Sequence, residues 1–214
     1  YQNPSDISTG AYDDNQLNDE FFWASAEIGL ATGNVSMVSG KEIMDQKIMV
    51  PSWDYSGMSG IVSLALSEST GFETQRNLAK KQLLMYADQL VSKAQQSPYH
   101  VSIDFFKWGS NSDVANIALL KLVAARISKN PVYYKSVQGD LDYLLGRNAT
   151  NYCFVTGFGA KQVMQIHHRP SGADGITEPC PGFLAGGSNT IVLNDCPGIT
   201  RSTFPAKSYT DSQC

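Results

Sequence analysis

The stretch SDVANIALLKLVAARIS, Ser112 to Ser128, decides the fold. Val114, Ala115, Ile117, Ala118, Leu119, Leu120, Leu122, Val123, Ala124, Ala125 and Ile127 leave it almost no polar face, and a helix that is apolar all round is expected to be buried on every side. Its neighbours differ. From Thr74 to about Gln95, Leu83, Tyr86, Ala87, Leu90, Val91 and Ala94 recur at three- and four-residue spacing, with a Lys- and Gln-rich opposite face and Pro98 beyond the end. Val132 to Leu145 is amphipathic through Val137, Leu141, Leu144 and Leu145, and stops at Gly146. Amphipathic helices beside an apolar one, joined by short Gly/Pro/Asn connections, imply inner and outer layers of helical hairpins, an all-α fold.

Towards the N-terminus, Asn18 is placed to cap a helix with Asp19 and Glu20 in its first turn, where carboxylates favour the positive end of the helix dipole. That helix runs to Thr32 and stops at Gly33, with Trp23 read as a core residue. Val35 to Asp45 reads as a weaker helix, and Ile61, Leu64, Ala65 and Leu66 mark another before Gly71.

The chain of 214 residues is 42% hydrophobic, enough for a packed core. Sixteen basic against twenty acidic residues give a net charge of -4, with no run of Lys or Arg, which argues against nucleic acid or an anionic membrane as partner. No apolar run approaches the roughly 20 residues of a membrane span. The N-terminus, YQNPSDIS, has neither a basic nor an apolar leader region, so the expectation is a mature chain or one whose beginning is missing. The four cysteines, Cys153, Cys180, Cys196 and Cys214, fit no zinc knuckle. Cys180 and Cys196 bracket one Gly-rich loop and read as a disulfide, against the alternative of four free thiols. Asn34-Val35-Ser36 and Asn148-Ala149-Thr150 are sequons that permit glycosylation.

After Gly146 the helical period disappears. Residues 146–214 hold 9 of the 18 glycines and 5 of the 9 prolines, together with His167, His168 and Arg169. So long a loop region inside a domain is usually functional. Residues 1–145 therefore read as helical scaffold and 146–214 as the substrate-site region of one domain. Two imidazoles and a guanidinium on turn-rich backbone fit a site loop, although a solvated surface turn fits these three residues equally well.

The run LDYLLGRNATNYCFVTGFGAKQVMQIHHRPSGAD, Leu141 to Asp174, resembles the first signature of glycoside hydrolase family 9, the inverting cellulases, whose Phe-Val-Thr-Gly-Phe-Gly leads into His-x-Arg. Thr9-Gly10, Asp19-Glu20-Phe21-Phe22-Trp23-Ala24 and Ala31-Thr32-Gly33 resemble another of its blocks. Ser52-Trp53-Asp54, Trp108-Gly109-Ser110-Asn111, Pro181 to Asn189 and Lys207 to Asp211 match further ones in the same order. The resemblance implies part of an (α/α)6 toroid, about half of it, with a loop-rich C-terminal region forming the site. It implies a secreted endo-β-1,4-glucanase acting on cellulose or another β-glucan.

Inversion needs one carboxylic acid to protonate the leaving oxygen and a carboxylate roughly 6.5–9.5 Å away to activate water. The family's Asp-Ala-Gly-Asp base segment and the Glu beyond its Tyr-x-Asp have no counterpart here, so both groups are expected outside these residues, and the chain alone is expected to be inactive or to pair with a separate N-terminal half. The resemblance gives His167 and Asp211 catalytic-site roles, Asp211 beside the missing acid, and gives Arg169 the sugar hydroxyls; His168, at the variable position, has the weaker claim. Trp108, Tyr209 and Trp53 are candidate sugar-stacking faces, with core packing as the alternative for each. Family members bind calcium near Asp-Glu, and Asp19, Glu20 and Asp54, with carbonyls around Thr9 and Gly10, supply the hard oxygen ligands Ca²⁺ prefers. A competing reading makes His167 and His168 transition-metal ligands; no HExxH accompanies them, and His100 is the one other histidine.

Overall fold

The computed structural model describes Pro4, Asp6, Asp14, residues 16–191 and residues 196–212. Thr9, Gly10 and Cys214 lie outside the described residues. The helices are α1 (Asn18–Thr32), α2 (Gly40–Asp45), α3 (Gly57–Leu66), α4 (Glu73–Gln96), α5 (Ser110–Ser128), α6 (Pro131–Leu144) and the short α7 (Arg169–Ala173). No strand occurs among the described residues; four isolated bridges do. The chain forms two compact units, Tyr1–Asp88 with Arg126–Ser128, and Gln89–Ala125 with Lys129–Cys214. The boundary at residue 145 falls inside the second.

In the first unit α1 packs on α3. Phe22 and Ala26 of α1 and Met58, Ile61, Leu64 and Ala65 of α3 are buried. Gly60 permits the approach, since a Cβ there would sit 2.8 Å from the Phe22 ring. The segment read as one helix from Val35 to Asp45 is instead a 3-10 turn (Val35–Met37) followed by α2. The break has a local cause: the Asn34 side chain accepts from Ser36 N, and Ser39 forms a capping box with Glu42 that starts a new helix. Asn18 is the first helical residue of α1 rather than its cap, which is Leu17. Trp23 is not core: it is exposed, and its Nε1 donates to Glu27 at 2.9 Å, on a face that also exposes Ile28.

The second unit buries Val101, Phe106, Val114, Tyr143, Leu144, Phe154, Val163 and Ala185 as one cluster. Three of these come from the loop region, which is therefore packed core and not a surface appendage. It also contains two short helical turns that its composition conceals, α7 and a 3-10 turn at Pro205–Lys207. α5 departs from its expected burial on all sides. Leu119 is 59% exposed, whereas Lys121 is 0% exposed, its Nζ donating to Asp140 Oδ2 at 2.8 Å and Ser102 Oγ at 2.6 Å. A buried ammonium persists only where a counter-charge and acceptors replace its water, and Asp140 and Ser102 supply both.

Cys196 is disulfide-bonded, while Cys180 and Cys153 are free thiols, so the expected Cys180–Cys196 bridge does not form. The Asn148 sequon is likewise closed to modification. Asn148 is buried, and its Nδ2 donates to the carbonyls of Tyr143 and Tyr152 at 2.7 and 2.8 Å, which fixes the turn leaving α6.

Candidate active site

The second unit holds a cleft of about 400 Å³ whose lining includes Trp108, His167, His168, Phe183, Arg201 and Tyr209. It is built from sequence blocks that are far apart in the chain. Asn111, behind Trp108 at the start of α5, donates through Nδ2 to Ala185 O at 2.9 Å and through its backbone N to Gly186 O at 3.1 Å. Ser110 Oγ donates to Ser188 O at 2.7 Å. The Ser-Asn pair thus fastens the Gly-rich loop and leaves Trp108, 66% exposed, on the rim.

A second frame comes from Thr156. Its buried Oγ1 donates to Cys180 O at 2.7 Å and accepts from Phe183 N at 2.9 Å. Its backbone N donates to Phe183 O, and its carbonyl accepts from Gly182 N, at 2.9 and 2.8 Å. Gly157 is required next to it: φ is +81°, and a Cβ would meet Pro181 Cβ at 2.5 Å. These contacts hold Phe183 face to face with His168, with ring centroids 4.5 Å apart and an interplanar angle of 28°.

His167 and His168 both line the cleft, His167 exposed and His168 half-buried. His168 Nδ1 lies 2.8 Å from Ser171 Oγ. Arg169 opens α7, is exposed, and stands outside the lining. Asp211 also stands behind the lining. Both its carboxylate oxygens accept backbone amides, from Met164 at 2.9 Å and Gln165 at 2.8 Å, so it anchors the segment entering His167. Tyr209 reaches the lining, but its ring packs edge-on against Tyr152 and Phe154, with centroids at 5.4 and 5.1 Å. Burial, and then the Asp211 charge, push its phenol well above the ordinary tyrosine range. No Asp or Glu lines the cleft among the described residues.

Trp53 and Asp54 belong to the first unit, where Trp53 is 61% exposed and Asp54 accepts from Ser52 Oγ within its own turn. Asp19 accepts from Ser56 N and Oγ at 2.6 and 3.2 Å. Burial, the largest single influence, would raise its pKa, but the hydrogen bonds from the Ser56 amide, its own amide, Glu20 and the Ser56 hydroxyl together outweigh it and the net shift is downward. Glu20 is shifted upward by burial and by Asp19 and Asp14. Glu20 Oε2 and Asp14 Oδ2 are buried without a hydrogen-bond partner among the described residues. No ready group of three His, Cys, Asp or Glu metal ligands occurs among the described residues.

Phe183, Thr156, Ser171 and Asp14 were not singled out from sequence. Thr156 and Phe183 sit inside quoted motifs whose partners lie 27 residues apart, so only pairing of the two blocks reveals their role.

The family model described as Glycosyl hydrolase family 9 matches residues 1–214. The xyloglucan-specific endo-β-1,4-glucanase BoGH9A of Bacteroides ovatus is 34% identical over 222 residues, covering 97% of this chain and 36% of that protein. Endoglucanase D of Acetivibrio thermocellus is 33% identical over 198 residues, covering 87% of this chain and 31% of its own length. Among solved structures, that of AaCel9A in complex with cellobiose-like isofagomine superposes with a TM-score of 0.86 at 32% identity, over 99% of this chain and 42% of that one. The chain thus spans about two fifths or less of these relatives. Its fold class is their all-α (α/α)6 barrel, of which it carries part.

Proposed function

We propose, from the premise that this chain belongs to glycosyl hydrolase family 9, that the protein carrying it hydrolyses internal β-1,4-glucosidic bonds of cellulose or a related β-glucan. The observation that carries the reading is the cleft itself. An exposed indole, Trp108, stands on a lining that also carries two imidazoles, His167 and His168. An aromatic face suits the apolar C–H faces of glucose, and fixed N–H donors suit its hydroxyls.

In this reading hydrolysis inverts the anomeric centre. The general acid and the base that activates water come, in this reading, from outside this chain, in which the family's Asp-Ala-Gly-Asp segment and the Glu beyond its Tyr-x-Asp have no counterpart. The chain contributes the supporting face. His167 donates to sugar hydroxyls beside the scissile bond, and Asp211 fixes the backbone that presents it. Arg169 and Trp53 extend substrate binding only if the rest of the protein brings them to the glucan. The protein works outside the cell, where polymeric glucan is met.

We propose calcium at the start of α1, where the carboxylates present would need further oxygen ligands, since they form no three-residue ligand group among the described residues. The orphaned oxygens of Glu20 and Asp14 are what a cation would complete, and Asp19 adjoins them. Asp19 and Glu20 would hold the ion, with Asp14 beside them and Asp54 the further ligand that the family resemblance suggests. Bound there, it would neutralise the mutual repulsion of the carboxylates.

Reducing-sugar release from carboxymethyl cellulose and mixed-linkage glucan tests the reading, with the anomeric form of the first product followed by NMR. Release of α-anomer is expected. A full-length protein that cleaves neither polymer overturns the reading, and product of retained configuration overturns inversion. The 214-residue chain by itself is expected to release no sugar.

A further inference from the structure

His168 occupies the position of the His-His-Arg triplet with the weaker claim to a role, yet it is the imidazole that the structure holds most firmly. Phe183 stacks on its face at 4.5 Å, and Phe183 is locked in turn by Thr156. Its backbone is fixed on both sides, His168 N donating to Ile166 O at 2.7 Å and His168 O accepting from Gly172 N at 3.2 Å. His167, exposed, has no such support among the described residues.

The decisive atom is Ser171 Oγ. It accepts the backbone N–H of Cys180 at 3.1 Å, a donor that cannot reverse its role. That fills one of its two lone pairs and leaves the hydroxyl proton to be placed, and among the described residues the acceptor it reaches is His168 Nδ1 at 2.8 Å. An imidazole that accepts at Nδ1 carries its proton at Nε2 and is neutral. Nε2 has no partner among the described residues, and the ring lines the cleft.

We infer that Ser171 fixes His168 as the neutral Nε2–H tautomer and so makes it an oriented donor to an acceptor oxygen of a neutral sugar, a second substrate-contacting imidazole beside His167. Ser171 is then a positioning residue, and Phe183 the surface that sets the ring plane. The inference rests on the glucan-hydrolase reading for the identity of the ligand but not for the tautomer. A fixed donor of this kind favours hydroxyl-rich neutral ligands, and it gains nothing from a cation, to which an N–H donor is the wrong partner.

Two measurements on the protein that carries this chain separate the parts. Labelling with ¹⁵N-histidine and long-range ¹H–¹⁵N correlation reports which ring nitrogen of His168 bears the proton. An Nε2–H signature that is lost in Ser171→Ala and kept in Ser171→Thr is expected. An Nδ1–H signature in the unmodified protein, or one indifferent to Ser171→Ala, overturns the assignment. Cellotetraose affinity then tests the contact. His168→Gln, whose side-chain amide reaches towards the Nε2 position, is expected to bind within about threefold of the unmodified protein. His168→Asn, whose shorter amide does not, is expected to bind roughly tenfold more weakly, the scale of one hydrogen bond. Equal affinity for both variants overturns the contact. An Nε2–H signature together with no cellotetraose binding by the unmodified protein overturns the sugar contact and the glucan reading while the tautomer stands.

Discussion

Asp211 Oδ2 accepts the backbone N–H of Met164 at 2.9 Å, across 47 residues of sequence, while Oδ1 of the same carboxylate accepts that of Gln165 at 2.8 Å. One side chain thereby satisfies two consecutive amides of the segment that enters His167. Hydrogen bonds to a charged acceptor contribute about 1.5–3 kcal/mol each. Asp211 is thus a backbone clamp for the segment that enters His167, and its Oδ1 also faces the hydroxyl of Tyr209, a lining residue, at 3.5 Å.

Asp211→Asn keeps one acceptor but turns an amide group towards a backbone N–H. It is expected to destabilise the protein by about 2–4 kcal/mol, the loss of one charged hydrogen bond plus a mismatched donor pair. Hydrogen exchange should show loss of protection at Met164 and Gln165. Unchanged protection at both amides would show that the clamp does not hold them.

The buried Lys121–Asp140 pair predicts a non-additive stability pattern. Lys121→Met leaves Asp140 without its cation and is expected to cost about 3–5 kcal/mol, whereas Lys121→Met with Asp140→Leu should cost much less than the sum of the single changes. Urea unfolding of the four proteins measures the coupling; simple additivity would refute it. Burial pushes Asp140 up to about 6 and outweighs the attraction of Lys121. Because the folded value is raised above the ordinary one of 3.8, its contribution to stability is full below that ordinary value and is lost as the pH rises through about 6. Unfolding free energies measured from pH 4 to 7 should therefore fall more steeply with pH in the unmodified protein than in Asp140→Asn.

What could be read in the sequence follows the range of the interactions. The 3.6-residue period located α4, α5 and α6 to within two residues, because helix formation answers to local spacing. The faces of α5 were misread, because eleven apolar residues cannot show which of them meet a neighbour. Lys121 carries no local sign of its burial, which depends on Asp140, 19 residues away. The Trp108, His167 and Tyr209 cluster was legible through the family resemblance, but the parts that hold it were not. Asp211 on Met164, Thr156 on Phe183 and Ser171 on Cys180 are side-chain to backbone contacts, and a sequence motif records only one partner of such a pair.

Gly157 and Gly182 offer a controlled comparison within one turn system. Both have positive φ, +81° and +92°, so alanine is strained at either, by roughly 1–2 kcal/mol. Only at Gly157 does the new Cβ collide, at 2.5 Å from Pro181, whereas nothing lies within 4 Å at Gly182. Gly157→Ala should therefore destabilise by a further 1–3 kcal/mol, about the cost of overpacking. It should also displace the turn that carries Phe183, seen as a shift of the His168 ring resonances. Equal costs at the two glycines would mean that Pro181 yields without moving the turn.

At the start of α1, Glu20 links metal, pH and stability. Its pKa is raised by burial and by the charges of Asp19 and Asp14. Without a metal, its contribution to stability is therefore full below the ordinary glutamate value and lost as the pH rises through the raised one. Calcium would act in the opposite sense, because it binds the ionised group. The stabilisation by calcium should grow as the pH rises through that window, reaching about 2.7 kcal/mol at a hundredfold excess over Kd. For a domain of this size that corresponds to a Tm higher by roughly 5–10 °C. Glu20→Gln should remove most of the calcium response and raise the metal-free Tm at neutral pH, since it deletes the repulsion with Asp19 and Asp14. Calorimetric scans with calcium and with chelator, at pH 5 and pH 7, decide the matter. A calcium response that survives Glu20→Gln would place the ion elsewhere.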